Sequence, residues 1–270
     1  MGPRPKIALM DVGIGLLPTA AAVRGLRPDA DLVLSSDPDG MPWGPRTPRD
    51  ITARALAVAE AAVAHRPDVL IVACNTASVL ALPTLRARFE PALPVVGTVP
   101  AVKPAAAGGA PIAVWATPAT TGSPYQRRLI EEYAAEVAVT EVACPGLSDA
   151  VERADPAAVD RAVAAAAART PADVRAVVLG CTHYELVAAR IRAALPAPVA
   201  LHGKADAVAA RALSRIGVQP TPGAPADGTL TVLHSGRPAT LPAAAYAYAE
   251  GRSPVSSAVS LSVGAATLGS

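Results

Sequence analysis

Two short stretches of the chain repeat one pattern. Val69-Leu70-Ile71-Val72-Ala73 runs into Cys74-Asn75-Thr76, and Val174-Arg175-Ala176-Val177-Val178-Leu179 runs through Gly180 into Cys181-Thr182-His183. Short apolar runs rich in β-branched residues read as buried strands. The hydroxyl and amide residues after each cysteine are able to start a helix. A chain that writes strand, thiol, helix twice is steered toward an α/β architecture with parallel strands. Open α/β sheets bind their ligands outside the carboxyl ends of the strands, so both sulfurs are expected to face one small molecule from opposite sides. That arrangement suits inversion of configuration at a carbon.

The remaining pattern extends this alternation. Strand signals fall at Lys6 to Asp11, Asp31 to Ser35, Val69 to Ala73 and Pro94 to Val99, then at Ile112 to Ala116, Val137 to Ala143, Val174 to Leu179, Pro198 to Leu201 and Leu230 to His234. Helices are predicted at Thr19 to Gly25, from Thr47-Pro48 to about His65, Ala77 to Phe89, Pro124 to Tyr133, Pro156 to Arg169, Leu186 to Ala194, Ala205 to Ile216 and around Leu241 to Glu250. Thr47 followed by Pro48 is a strong helix start, a hydroxyl cap and then proline at the first helical position. The length of 270 residues accommodates two cores. Alanine, proline and glycine cluster from Thr98 to Pro111 and mark a crossing between units. The expected organisation is two doubly wound, mostly parallel-sheet domains, residues 5–99 with 212–251 and residues 100–211. A Ser/Ala/Gly/Val-rich tail over 252–270 is expected to be flexible.

Several functional classes are disfavoured. Charged residues make up 17% with a net charge of +2, too little for a nucleic-acid face. No uninterrupted apolar run nears the roughly 20 residues of a membrane span. The first apolar run, Ile7-Ala8-Leu9-Met10, is too short for the core of a secretory signal, so a cytoplasmic location is the expectation. Three cysteines without a C-x-x-C spacing argue against a disulfide framework and for reduced thiols. No further ligand cluster accompanies Cys181 and His183, so no metal is expected. Asp11-Val12-Gly13-Ile14-Gly15 lacks the G-x-G-x-x-G spacing of a dinucleotide loop. Its glycines are expected to let backbone approach a small ligand. The partners left are a small molecule and a second copy of the chain.

Chemistry follows from the placements. Cys74 and Cys181 each precede a predicted helix start, where the dipole and open amides favour a thiolate. Those amides, with Asn75, Thr76 and Thr182, are expected to hold a carboxylate without any arginine. Abstracting a proton beside a carboxylate and returning one to the opposite face needs a base and an acid, which one thiolate and one thiol supply. Asp11, ending the first strand, and His183, two residues past Cys181, are titratable groups placed to assist. Cys144 lacks a polar sequel and reads as structural, and His65, His202 and His234 stand isolated.

Cys74-Asn75-Thr76-Ala77-Ser78 and Gly180-Cys181-Thr182-His183-Tyr184 closely resemble the two catalytic motifs of the cofactor-independent glutamate racemases, within the aspartate/glutamate racemase superfamily. Further matches are Asp37, Pro42-Trp43-Gly44, Arg46-Thr47-Pro48, Thr117 with Ala119-Thr120, Tyr125-Gln126-Arg127, Cys144-Pro145, Val151-Glu152 and Ser235-Gly236-Arg237-Pro238. The resemblance implies two α/β domains related by a pseudo-twofold axis, with the site in the cleft between them. It implies Cys74 and Cys181 as acid/base thiols assisted by Asp11 and His183, with Asn75, Thr76 and Thr182 holding the amino acid. Backbone at Pro42, Trp43 and Gly44 would meet its side-chain carboxylate, and Asp37 and Glu152 stand as candidate assisting carboxylates. It further implies glutamate as substrate, no pyridoxal phosphate or other cofactor, D-glutamate for peptidoglycan, and a homodimer. His183 favours glutamate, because related aspartate racemases usually carry glutamate there. Departures are Val12 where the family has serine, Trp43 where it has tyrosine, and Gly40 where it often has arginine. They keep two alternatives open: a racemase or epimerase of another small acid such as aspartate, and an inactive small-acid-binding protein of the same fold.

Overall fold

Ile7, Ala8, Leu9 and Met10 are all closed to solvent, as a strand must be when sheet neighbours flank it and helices cover both faces. The computed structural model describes residues 4–196 and 198–256. Its first half runs β1 (Lys6–Asp11), α1 (Leu17–Leu26), β2 (Asp31–Ser36), α2 (Pro48–Val63), β3 (Val69–Val72), α3 (Asn75–Leu80), α4 (Leu82–Phe89) and β4 (Val95–Gly97). The second runs α5 (Val102–Ala106), β5 (Ile112–Ala116), α6 (Pro124–Tyr133), β6 (Val139–Ala143), α7 (Leu147–Glu152), α8 (Pro156–Ala167), β7 (Ala176–Leu179), α9 (Thr182–Glu185), α10 (Ala188–Ala194) and β8 (Ala200–His202). Helix α11 (Ala205–Arg215), strands β9 (Leu230–His234) and β10 (Arg237–Ala239), and α12 (Ala249–Ser256) follow.

Two sheets result. One has the order β10-β9-β2-β1-β3-β4 and the other β6-β5-β7-β8. Every pairing is parallel except that of β10 with β9. The orders β2-β1-β3-β4 and β6-β5-β7-β8 correspond strand for strand, so β3 and β7 occupy equivalent places. Period-two alternation divides the first sheet's residues between its faces. Ile7, Leu9 and Ile71 pack with Leu17, Ala20 and Val23 of α1, while Ala8, Met10, Leu70 and Val72 pack with Ile51, Ala55 and Val58 of α2. The α1 side continues into the second sheet through Trp115, Val177, Leu179 and Tyr184. Among the described residues no helix is long and apolar enough to cross a membrane.

The structure departs from the expected elements at identifiable points. The helix expected over Ala77 to Phe89 is interrupted at Ala81, because Pro83 has no N–H to continue the ladder and instead opens the first turn of α4. An expected domain boundary at residue 212 would cut α11, which runs unbroken through it and packs on α1 and against β3 and β4. The chain then returns to the edge of β2 as β9. Buried Arg24 fixes that return, donating to the carbonyls of Pro28, Ala30, Gly228 and Thr229. Of the tail expected over 252–270, residues 252–256 complete α12, and 257–270 lie outside the described residues. Tyr248, just before α12, donates its hydroxyl to Val151 O at 2.7 Å, tying the C-terminal segment to α7.

Candidate active site

Cys74 follows β3 and caps α3, and Cys181 follows β7 and caps α9. The equivalence of β3 and β7 thus delivers the two sulfurs to one cavity of about 380 Å³, formed where the carboxyl ends of the two sheets face each other. Asp11, Val12, Pro42, Trp43, Gly44, Asn75, Thr76, Glu152, Thr182 and His183 also line it. Thr117, Thr120, Met41, Ser148 and Asp149 join them without having been singled out as site residues from the sequence. Thr117 directly follows β5, the equivalent of β1, so the strand correspondence that places Asp11 was the signal for it. Among the described residues, no lysine or arginine lines the cavity.

The environments of the two thiols differ. Cys74 is 4% exposed, and the Asp11 carboxyl is its charged neighbour. Burial and the Asp11 charge push this thiol well above its ordinary range, overriding the acidification expected from a helix start. Helix α3 has only 6 residues and α9 only 4, so each carries a small dipole. Asp11 is fully buried, and desolvation raises its pKa although it accepts from Val12 N at 2.7 Å and Thr182 Oγ1 at 3.0 Å. On this side both shifts run toward the protonated form.

On the other side Cys181 Sγ lies 3.8 Å from His183 Nδ1, and His183 Nε2 lies 2.7 Å from Glu152 Oε2. The Ile14 amide donates to the same Glu152 oxygen at 2.9 Å. Burial disfavours charge on His183, but the Cys181 sulfur and the Glu152 carboxylate outweigh it and hold the pKa well above the usual imidazole range. A cation therefore stands beside the Cys181 sulfur. Burial likewise works against the charge on Glu152, yet the imidazolium and the Ile14 amide keep its pKa below the ordinary value.

This pairing has a pH signature. Glu152, with its pKa lowered, contributes fully above about 4.5 and loses its contribution as pH falls through the folded value, while His183, with its pKa raised, contributes fully below about 6.5 and loses it as pH rises. Glu152→Gln is accordingly expected to depress Tm most between those two limits and progressively less in more alkaline solution. Thermal melts across the range measure it. A deficit that stays constant to high pH would contradict the pairing.

Three expectations are corrected. Asp37 does not line the cavity: it is 3% exposed and receives Trp43 Nε1 at 2.9 Å, Arg54 at 3.2 Å and Ser235 Oγ at 3.1 Å. A carboxylate consumed by three donors shapes the Met41–Pro45 loop rather than handling a proton. Gly13 and Gly15 serve close approach to protein side chains instead of a ligand. A Cβ at Gly13 would lie 2.3 Å from Glu152 Oε2, and one at Gly15 2.4 Å from Asp11 Oδ2 and 2.5 Å from Thr182 Oγ1. Finally, two donors expected to hold substrate are already engaged. Thr182 gives its hydroxyl proton to Asp11, and the Asn75 amide nitrogen donates to Gly180 O. Asn75 Oδ1 is left buried without a partner. Cys144, read as structural, is 1% exposed in the second sheet's core, and burial pushes its thiol up to about 12.

The Asp/Glu/Hydantoin racemase family model matches residues 18–210. A glutamate racemase of Roseiflexus sp. (strain RS-1) is 40% identical over 213 residues, which cover 76% of this chain and 77% of that protein. One from Granulibacter bethesdensis is 39% identical over 214 residues, covering 76% of each. Among solved structures, Escherichia coli glutamate racemase in complex with L-glutamate and the activator UDP-MurNAc-ala aligns with a TM-score of 0.76 at 28% identity, covering 91% of this chain and 92% of that one.

Proposed function

The chain belongs to the Asp/Glu/hydantoin racemase family, and from that premise we propose that it interconverts L- and D-glutamate with Cys74 and Cys181 as its two acid/base groups. The observation that carries this reading is the pair of thiols at equivalent strand ends of two sheets, opening on one cavity with different proton partners. In one direction the sulfur of one cysteine takes the α-proton as the Cα–H bond breaks, and the electron pair passes toward the α-carboxylate. The thiol on the opposite face then gives its proton to Cα, and the configuration inverts. The reverse reaction exchanges the roles. Asp11 replenishes or accepts the proton on the Cys74 side, and the His183–Glu152 pair does so on the Cys181 side. Negative charge growing on the α-carboxylate is met by fixed donors, which need no reorganisation at the moment of reaction.

Substrate binding follows from what is unmatched. Asn75 Oδ1 has an unused acceptor site beside the cavity, suited to a substrate ammonium. With no arginine or lysine among the described lining residues, the carboxylates rely on backbone amides and the Thr76, Thr117 and Thr120 hydroxyls. Supply of D-glutamate for peptidoglycan, a homodimer and a cytoplasmic location belong to the same reading and rest on the family resemblance. So does the division into two domains, for which α11 argues that the return to the first unit comes near residue 204.

Incubating each enantiomer of glutamate and of aspartate in D₂O and following the α-proton by NMR tests the assignment. Deuterium enters glutamate with inversion if it holds. Exchange confined to aspartate would transfer the site to another acid, which Val12 in the lining would favour by its apolar side chain. No exchange with any of the four would leave a binding protein.

A further inference from the structure

Leu179 closes β7 and Glu185 closes α9, so these two residues bracket the segment that carries Cys181, Thr182 and His183. One side chain reaches both brackets. Lys204, in the turn between β8 and α11, has a side chain only 3% exposed. Its ammonium donates to Leu179 O at 3.0 Å and lies 3.4 Å from Glu185 Oε1. Glu185 Oε2 in turn accepts from the backbone amides of Lys204 and Ala205, each at 3.2 Å. Gly203 makes the approach possible, since a Cβ there would fall 2.5 Å from Glu185 Oε2. Neither Lys204 nor Glu185 lines the cavity, and no step of the proposed reaction uses them.

We propose that the Lys204–Glu185 pair is a clamp that positions the Cys181 loop for proton transfer, an inference that rests on Cys181 being an acid/base thiol. A buried ion pair is a poor device for stability alone, because apolar side chains of similar size do that at least as well. What apolar side chains cannot do is hold the carbonyl at one end of the loop and tie the carboxylate at its other end to the amides of Lys204 and Ala205. On its inner side the loop is fixed by Gly180 N donating to Trp115 O at 2.7 Å and by Asn75 donating to Gly180 O. The clamp secures the outer side, so that Cys181 and His183 share one geometry. Displacements of about 1 Å in a reacting group cost on the order of 10²-fold in rate, so a partly loosened loop is felt in turnover before it is felt in folding.

The test replaces the pair by apolar residues in the full-length protein, Lys204→Met with Glu185→Leu, and compares Lys204→Arg, which keeps the cation. The adjoining cleft bordered by Leu179, Glu185, Gly203 and Ala205 leaves room for the longer side chain. The double variant is expected to fold, to lose about tenfold in kcat and to keep KM within about twofold, with Lys204→Arg recovering most of the loss. Mass-spectrometric mapping of iodoacetamide labelling gives a second readout. The ratio of Cys181 to Cys74 labelling is expected to shift about fivefold as the Cys181 sulfur loses its fixed place beside His183. A folded double variant with both kcat and the labelling ratio within about twofold of wild type would overturn the clamp. If that variant does not fold, Lys204→Gln, which shortens the donor and leaves Glu185 its two amides, is judged by the same limits. Labelling needs no turnover, so a wild-type protein inactive on glutamate would sink the functional reading while the clamp is still decided by the cysteine ratio.

Discussion

Cys74→Ala and Cys181→Ala are each expected to lower glutamate racemisation by at least about 10²-fold, the low end for loss of a positioned acid or base. The more telling result is what survives. With Cys74 gone, Cys181 still meets one face of the substrate, removes a proton from one enantiomer and returns solvent deuterium to the same face. That variant should wash deuterium into one enantiomer without inverting it and leave the other untouched. Cys181→Ala should show the opposite preference. The α-proton signal and chiral chromatography of the same samples separate exchange from inversion. Near-normal racemisation by either variant would refute a mechanism with two thiols. Alanine fits both positions sterically, and Cys74, the more buried of the two, lies in a well-packed cluster with Met10, Val72 and Ala77, so any loss of stability is expected there.

The second large effect is expected from a residue with no side chain. Gly15→Ala would place a methyl 2.4 Å from Asp11 Oδ2, 2.5 Å from Thr182 Oγ1 and 2.7 Å from His183 Nδ1. These three side chains serve both thiols, so one methyl disturbs the proton partners on the two faces together. All three are fixed by partners of their own, so no flexible end can move aside. A fall in kcat on the order of 10²-fold follows from displacements of about an ångström among reacting groups. Steady-state rates for both enantiomers measure it, with circular dichroism confirming the fold. Unchanged kcat would show that the Asp11, Thr182 and His183 geometry is not needed.

The parallel-strand skeleton was legible because each strand is built on a short, mostly apolar run. Lys6–Asp11, Ile112–Ala116 and Leu230–His234 have the bounds read from the sequence. Helix starts were legible wherever a side chain caps them: Thr47 accepts from Asp50 N, as its hydroxyl followed by Pro48 predicts. Strand β10 was hidden by Pro238, which suits only an edge, and this strand has a single neighbour. The thiols were legible because their local patterns match. Less so were the contacts made across long stretches of chain. Asp37 meets Ser235 from 198 residues away, and Glu152 meets the Ile14 amide from 138 away. Local pattern says which residues are able to titrate, and only the folded chain says which donors already occupy them. That is why Asp37 looked like a free carboxylate and Thr182 like a free hydroxyl.

The strand-for-strand echo between the two sheets has a consequence for energetics. Mirror-image reactant and product have equal free energy in an achiral solvent, so such a catalyst sees the same hill from either slope. A frame that presents its second half as a near copy of the first offers each face of the planar intermediate a comparable sulfur at a comparable strand end. Handedness then enters through the attendants alone, a carboxyl for one sulfur and an imidazole braced by Glu152 for the other. Altering those attendants unequally leaves the equilibrium at unity and changes only how the two enantiomers share the enzyme between them.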